Sequence, residues 1–123
     1  MNKNDLELLC ELASTNINIC SIYSAMGKHD ISLTYAEKAN TLGEETLSLI
    51  GSESQIYKDR YQEVEAVATV LCTSYINTAI EYEHLKEYDR CLEIYLKAFK
   101  TSGYYLGSGS WLTALCDKNL KAV

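Results

Sequence analysis

An all-α fold is predicted by three features of this sequence. Proline is absent, apolar residues recur every three or four positions along most of the chain, and no stretch alternates with period two for long enough to make a strand. With no Pro and only six Gly, helices can run long and unbroken except where a glycine stops them. The 123 residues are one domain's worth and enough to bury a core, so a single helical-repeat domain over 1–123 is expected.

The first stripe, Leu6, Leu9, Ala13, Ile17, Cys20 and Tyr23, marks one face of an amphipathic helix. Asn4 with Glu7 three residues on forms a capping-box pattern at its start. Gly27 stops this helix, because Gly reaches the left-handed conformation without penalty, and Asp30 is the expected N-cap of the next. That second helix carries Tyr35, Ala36, Ala39, Leu42, Gly43, Leu47 and Ile50, with small residues where helices must approach closely. GSES at 51–54 breaks the pattern, and Ser52 with Gln55 offers another capping box. From Tyr57 the stripe continues through Tyr61, Val64, Ala68, Leu71, Tyr75 and Ala79 to Tyr82, which predicts one helix of about 30 residues and about 45 Å. A turn at His84–Glu87 leads to a fourth stripe, Tyr88, Cys91, Leu92, Tyr95, Ala98, Phe99 and Ser102. GSGS at 107–110 is the last break, with Ser110 able to cap a final helix carrying Trp111, Leu115 and Leu120.

Composition narrows the function classes. The hydrophobic fraction of 47% and charged fraction of 23% are ordinary for a soluble globular protein, and no apolar run is long enough to span a membrane. MNKNDLELLCEL carries early acids and few apolar residues, unlike a secretory signal. A net charge of −6 argues against nucleic acid as the main partner. From Lys97 onward, however, Lys97, Lys100, Lys118 and Lys121 face only Asp117, either a solvated helix face or a docking surface for acids. Five widely spaced cysteines, Cys10, Cys20, Cys72, Cys91 and Cys116, read as reduced core thiols of a cytoplasmic protein and not as a disulfide framework. There is no CxxC, and His29 and His84 are far apart in sequence, so zinc-ligand spacing is missing and no metal or cofactor is expected.

Self-similarity is the strongest signal. Aligning Gly27-Lys28-His29 with Lys86-Glu87-Tyr88 brings Tyr23 onto Tyr82, Ser32 onto Cys91, Ala36 onto Tyr95 and Ala39 onto Ala98. This pattern resembles the tetratricopeptide repeat, a helix–turn–helix unit with small residues where its two helices cross. The stretch YLKAFKTSGYYLGSGSWLTALCDKNLKAV is similar to the longer variety of the repeat seen in kinesin light chains, with Leu-Gly after the second helix and Asn-Leu in the next. In phase, Asn18, Asn77 and Asn119 share one position. The second spacing, 119 − 77 = 42, suits that variety; the first, 77 − 18 = 59, is 17 residues longer, and the surplus is read as an extension of the third helix. The resemblance implies one repeat over about 13–50, a second over about 55–105 and a partial third over about 110–123, five helices in a short right-handed solenoid. The chain departs from the pattern at Cys20 and Thr78, where Leu, Gly or Ala is usual, and at Lys86 in place of the turn glycine. Another kind of helix-pair array would leave similar stripes.

In such repeats the inner face of each first helix lines a concave groove. Here the resemblance assigns Ser14, Ile17, Asn18 and Ser21, then Thr73, Ile76, Asn77, Ile80 and His84 to that face. The asparagines would either hold a peptide backbone, since an amide donates and accepts at once, or satisfy neighbouring helices. The face lacks the lysines that grip acidic tails, and its isoleucines suit an apolar or helical segment. Two and a half repeats are fewer than the three a solenoid usually needs, so a second interface is expected at the end formed by Trp111, Leu115, Asn119 and Leu120. These features point to a non-enzymatic scaffold, a small subunit or fragment of a larger assembly whose neighbours are other proteins. By analogy with similar repeats, a cytoskeletal or ciliary axonemal setting is expected. The alternative is a soluble peptide-binding adaptor using the groove.

Enzymatic readings are weaker. LGSGSW precedes a helix but lacks the Lys-Ser/Thr and the preceding strand of a phosphate loop. No spacing fixes a Cys–His pair with an orienting carboxylate. The acid pairs Glu44-Glu45 and Glu81 with Glu83 read as solvated faces, and no catalytic residue is expected.

Overall fold

The computed structural model describes residues 3–51 and 61–123. Five helices are present among them: α1 (Lys3–Ala25), α2 (His29–Gly51), α3 (Tyr61–His84), α4 (Tyr88–Leu106) and α5 (Trp111–Ala122). The described residues contain no strand, so the chain is all-α there. Each helix packs on the next in sequence. In addition α1 packs against α3 and α3 touches α5, while α2 and α4 are not packed on one another and are bridged by Lys97 and Glu44 at 3.5 Å. The helices therefore form two layers, α1, α3 and α5 in one and α2 and α4 in the other. Only α3 touches all four of its neighbours. No described helix is long and apolar enough to cross a membrane.

Most residues of the stripes read from sequence are buried or half-buried in α1 to α4, but Tyr61, Tyr88 and Leu92 at the helix starts and edges are exposed. Leu6, Ala13 and Cys20 face inward from α1, and Ala36, Ala39, Leu47 and Ile50 from α2. Val64, Ala68, Leu71, Tyr75 and Ala79 of α3 meet Cys91, Tyr95 and Ala98 of α4 in one continuous core. Small residues set the spacing. A Cβ added at Gly43 would fall 2.8 Å from Leu71 Cδ1 and 3.0 Å from Leu71 Cβ, so α2 lies on α3 with no room for a side chain there. All five cysteines are free thiols, and four of them are buried.

The turns of the two hairpins match bond for bond, 59 residues apart. Gly27 has φ 75°, its N–H donates to the Ser24 carbonyl at 2.9 Å, and the Lys28 N–H donates to the Tyr23 carbonyl at 2.9 Å. Lys86 has φ 62°, its N–H donates to the Glu83 carbonyl at 3.0 Å, and the Glu87 N–H donates to the Tyr82 carbonyl at 2.9 Å. Both are Schellman closures that satisfy the last carbonyls of a helix. Lys86 thus takes the left-handed conformation that costs a non-glycine residue about 1–2 kcal/mol.

Several local expectations are corrected. α1 already includes Lys3, so Asn4 lies inside the helix and does not cap it. α2 begins at His29, and its first helical bond runs from the Ser32 N–H to the Lys28 carbonyl at 3.0 Å. Asp30 therefore sits in the first turn, where its charge favours the helix dipole, and is not the N-cap. The 17 surplus residues are not all in α3. Counted from the aligned asparagines, α3 starts eight residues earlier than α5 does (77 − 61 = 16 against 119 − 111 = 8). α2 runs four residues further past its turn than α4 (51 − 27 = 24 against 106 − 86 = 20). The described α3 has 24 residues, close to the 23 of α1 and α2. Tyr57 and the Ser52–Gln55 capping box lie outside the described residues. Ser110 does cap α5, accepting from the Leu112 N–H at 3.2 Å. The buried residues of α5 are Leu112, Thr113 and Cys116, while Trp111 is exposed and Leu115 and Leu120 are partly buried. Helix period alone left both sets open, and contact with α4 selects the former.

Candidate functional site

Because α3 is packed on every other side, it keeps a single open stripe. Thr73 and Asn77 are half-buried on it, Ile80 is 36% exposed and His84 is exposed. Ile76 lies at its edge and is buried. Ile17 and Ser14 of neighbouring α1 are half-buried, and Asn18 and Ser21 are exposed. The hydroxyls on this face are used internally: Thr73 Oγ1 donates to the Thr69 carbonyl at 2.8 Å and Ser21 Oγ to the Ile17 carbonyl at 3.2 Å. Among the described residues the side-chain amides of Asn18, Asn77 and Asn119 make no hydrogen bond, so the neighbouring helix backbones do not consume them. By contrast Asn40 is buried between α2 and α3. Its amide donates to Thr78 Oγ1 at 2.9 Å, and its carbonyl oxygen accepts from Ser74 Oγ.

The open stripe ends in a polar node that sequence reasoning missed. Glu81, read as a solvated acid, is only 2% exposed. Its Oε1 accepts from Ser32 Oγ at 2.9 Å, and its Oε2 lies 2.7 Å from His29 Nδ1. The Cys20 carbonyl lies 2.8 Å from Ser32 Oγ and competes with Glu81 Oε1 for its single proton, and Cys20 Sγ lies 3.1 Å away. The His29 ring stacks on His84, centroids 4.1 Å apart, which links the node to the groove face. Glu83, on the other side of α3, is exposed as expected. The node was legible in one respect. Ser74, Thr78 and Glu81 recur at helical spacing beside the apolar stripe of α3 and face Ser32 and Asn40 of α2. A polar residue set at that spacing needs partners, because unpaired burial is costly.

The node's chemistry is that of a fastening. Ser32 is fully buried and bonds the carboxylate directly, not through an imidazole, so its own hydroxyl is not exposed to a substrate. Burial, with a smaller push from Glu81 opposed by the Ser32 hydrogen bond, raises the Cys20 thiol above its usual range. Burial likewise raises Cys91 and Cys116, and it pushes Cys72 up to about 12. The buried thiols are therefore protonated near neutral pH. Among the described residues no group of three or more His, Cys, Asp and Glu side chains is placed to hold a metal. The GSGS segment is occupied as a joint: Thr113 Oγ1 donates back to the Gly107 carbonyl at 2.9 Å.

At the far end, Trp111 is 71% exposed, whereas Leu115 and Leu120 pack partly against the core and Asn119 is half-buried. The four residues expected to form an end interface are therefore not one open patch. Nor is the C-terminal lysine excess wholly free. Lys97 lies 3.5 Å from Glu44 and over the Tyr75 ring, and Lys121 lies 2.9 Å from Asp117. Compared with protein-family models, with curated proteins and with solved structures, the chain matches none.

Proposed function

We propose that this chain is a short solenoid of tetratricopeptide type, acting as a non-enzymatic protein-binding scaffold that receives an apolar or helical segment along the open face of α1 and α3. The observation that carries the reading is the state of the asparagines. Asn18 is exposed on α1 and Asn77 half-buried on the adjoining α3, near Ile17 and Ile80 in sequence, with amides that no other described residue uses. An amide that both donates and accepts can fix the backbone of a bound segment, while the isoleucines contribute apolar contact. The two-layer order of the helices and the matching turns 59 residues apart support the repeat reading.

The test is selection of binding peptides from a displayed library against the whole chain, followed by titration of the best one. Asn77→Ala and Ile80→Asp should each weaken it at least tenfold. Undiminished binding to both variants would defeat the groove reading.

A second reading rests on Trp111, a large exposed aromatic at the end of the helix stack. It makes the chain a fixed subunit of a larger assembly, with the cytoskeletal or axonemal setting as its expected location. Fractionation of the source cells checks it: retention in a salt-resistant cytoskeletal pellet, lost on Trp111→Ala, supports the subunit reading, and a freely soluble chain opposes it.

A further inference from the structure

α1 is apolar on two sides. Leu6, Ala13 and Cys20 are buried, while Leu8, Leu12, Thr15, Ile19, Ile22 and Met26 run along a different side at spacings alternating between four and three. Leu8 is 64% exposed, Leu12 48%, Ile22 61% and Met26 57%. Met26 continues the helical path, its N–H donating to the Ile22 carbonyl at 3.2 Å. This alternation is the seam of a coiled coil, about 27 Å long at 1.5 Å per residue. A helix that is apolar on opposite sides is ordinarily covered on both.

We infer that the seam is a contact between two copies of this chain, α1 against α1, antiparallel about a two-fold axis near Ile17. The charges on α1 select this occupant. Lys3, Asp5, Glu7 and Glu11 lie in the first half of the helix, a net charge of −2; the second half carries no charge, and Lys28 follows its end. Parallel pairing would stack acids on acids. Antiparallel pairing sets Leu8 against Met26, Leu12 against Ile22 and Thr15 against Ile19. It also brings Lys28 of each copy to the acidic end of the other. Every seam residue meets another seam residue, which makes the surface self-complementary, as an isologous interface must be. An open recess of about 560 Å³ beside Leu12 and Asn16, walled on α2 by Thr34, Glu37, Lys38, Thr41 and Leu42, lies next to the position that Ile22 of the second copy takes. The seam lies on a different side of α1 from Ile17 and Ser14, whereas Asn18, three residues from Thr15 and four from Ile22, borders it, so the dimer and the groove share an edge there.

Sedimentation equilibrium of the whole chain, from about 1 to 200 µM, tests the inference. A reversible dimer is expected. Ile22→Glu and Leu8→Glu, at exposed positions, should each raise the dissociation constant at least tenfold with helix content unchanged by circular dichroism. Mixing Leu8→Lys with Met26→Glu should recover a dimer that neither variant forms well alone, because only antiparallel pairing opposes those positions. A monomer at the highest concentration overturns the inference. So does a dimer that both glutamate variants leave intact, or a mixture that recovers nothing.

Discussion

Ser32 and Cys91 occupy equivalent places in the two hairpins and are both fully buried, yet the chemistry around them differs. Ser32 belongs to a polar seam in which Cys20, Glu81 and His29 are bonded together, continued along α2 and α3 by Asn40, Ser74 and Thr78. Cys91 sits in a continuous apolar cluster with Cys72, Tyr75, Tyr95, Leu112 and Cys116. The turns that begin the two hairpins are nevertheless the same, down to their hydrogen bonds. Hairpin geometry is thus set by the turn and by small residues at the crossing, not by what fills the space behind them. A polar seam restricts the alignment of α2 on α3, because its hydroxyls and amide must reach acceptors at fixed positions. An apolar seam is set by volume and is easier to repack.

High pH separates the two halves most strongly. Burial holds Tyr95 and Cys72 up to about 12, and it raises Tyr75, which Glu44 pushes up further. Unfolded thiols ionise near 9 and unfolded tyrosines near 10. The native state therefore binds more protons across that range, and stability falls as pH rises from about 9 to about 12. Alkaline titration followed by circular dichroism and tyrosinate absorbance should show cooperative unfolding in this window. If Tyr95 and Tyr75 ionise without loss of helix, the apolar half is not closed as described.

In the polar half, His29→Ala removes the hydrogen-bond partner of buried Glu81 Oε2 and should cost about 1–3 kcal/mol in urea unfolding. A cost under about 1 kcal/mol would show that Ser32 alone satisfies Glu81. Exchanging the equivalent residues is a sharper comparison. Ser32→Cys takes the donor from Glu81 Oε1, and Cys91→Ser puts a hydroxyl into an apolar cluster; each should cost about 1–3 kcal/mol. If either exchange is neutral, the two seams are less different than their contacts.

The smallest effects belong to the turns. Gly27→Ala should destabilise by about 1 kcal/mol through its positive φ alone, since nothing lies within 4 Å of the added Cβ. Lys86→Gly should stabilise by a similar amount, after allowance for the freer unfolded chain. Thermal melts of the two variants in parallel measure both, and the same sign in both would break the equivalence of the turns.

Much of the fold was legible in advance. The helix stripes, the break at Gly27, the Ser110 cap and the internal phase of 59 residues all follow from local rules. Helix ends were less so, as Asn4 and Asp30 show, because capping residues are common inside first turns as well. The candidate site was legible only as a face. That Asn18 and Asn77 bond no other described residue while Asn40 does depends on which neighbour each one meets. Glu81 was misjudged for the same reason: an acid near the end of an amphipathic helix usually faces water, and only contact with Ser32 and His29 makes its burial tolerable.

By itself the sequence determined that this chain is helical, where most of its helices break, and which stripe of α1 to α4 turns inward. Those properties come from backbone conformation and periodicity within a single segment. Only the tertiary structure decided that α3 stands at the centre, that a carboxylate is buried at the end of its open face, and that α1 keeps a second apolar seam outside. Each of these depends on how residues far apart in the chain divide the available burial, which no local pattern encodes.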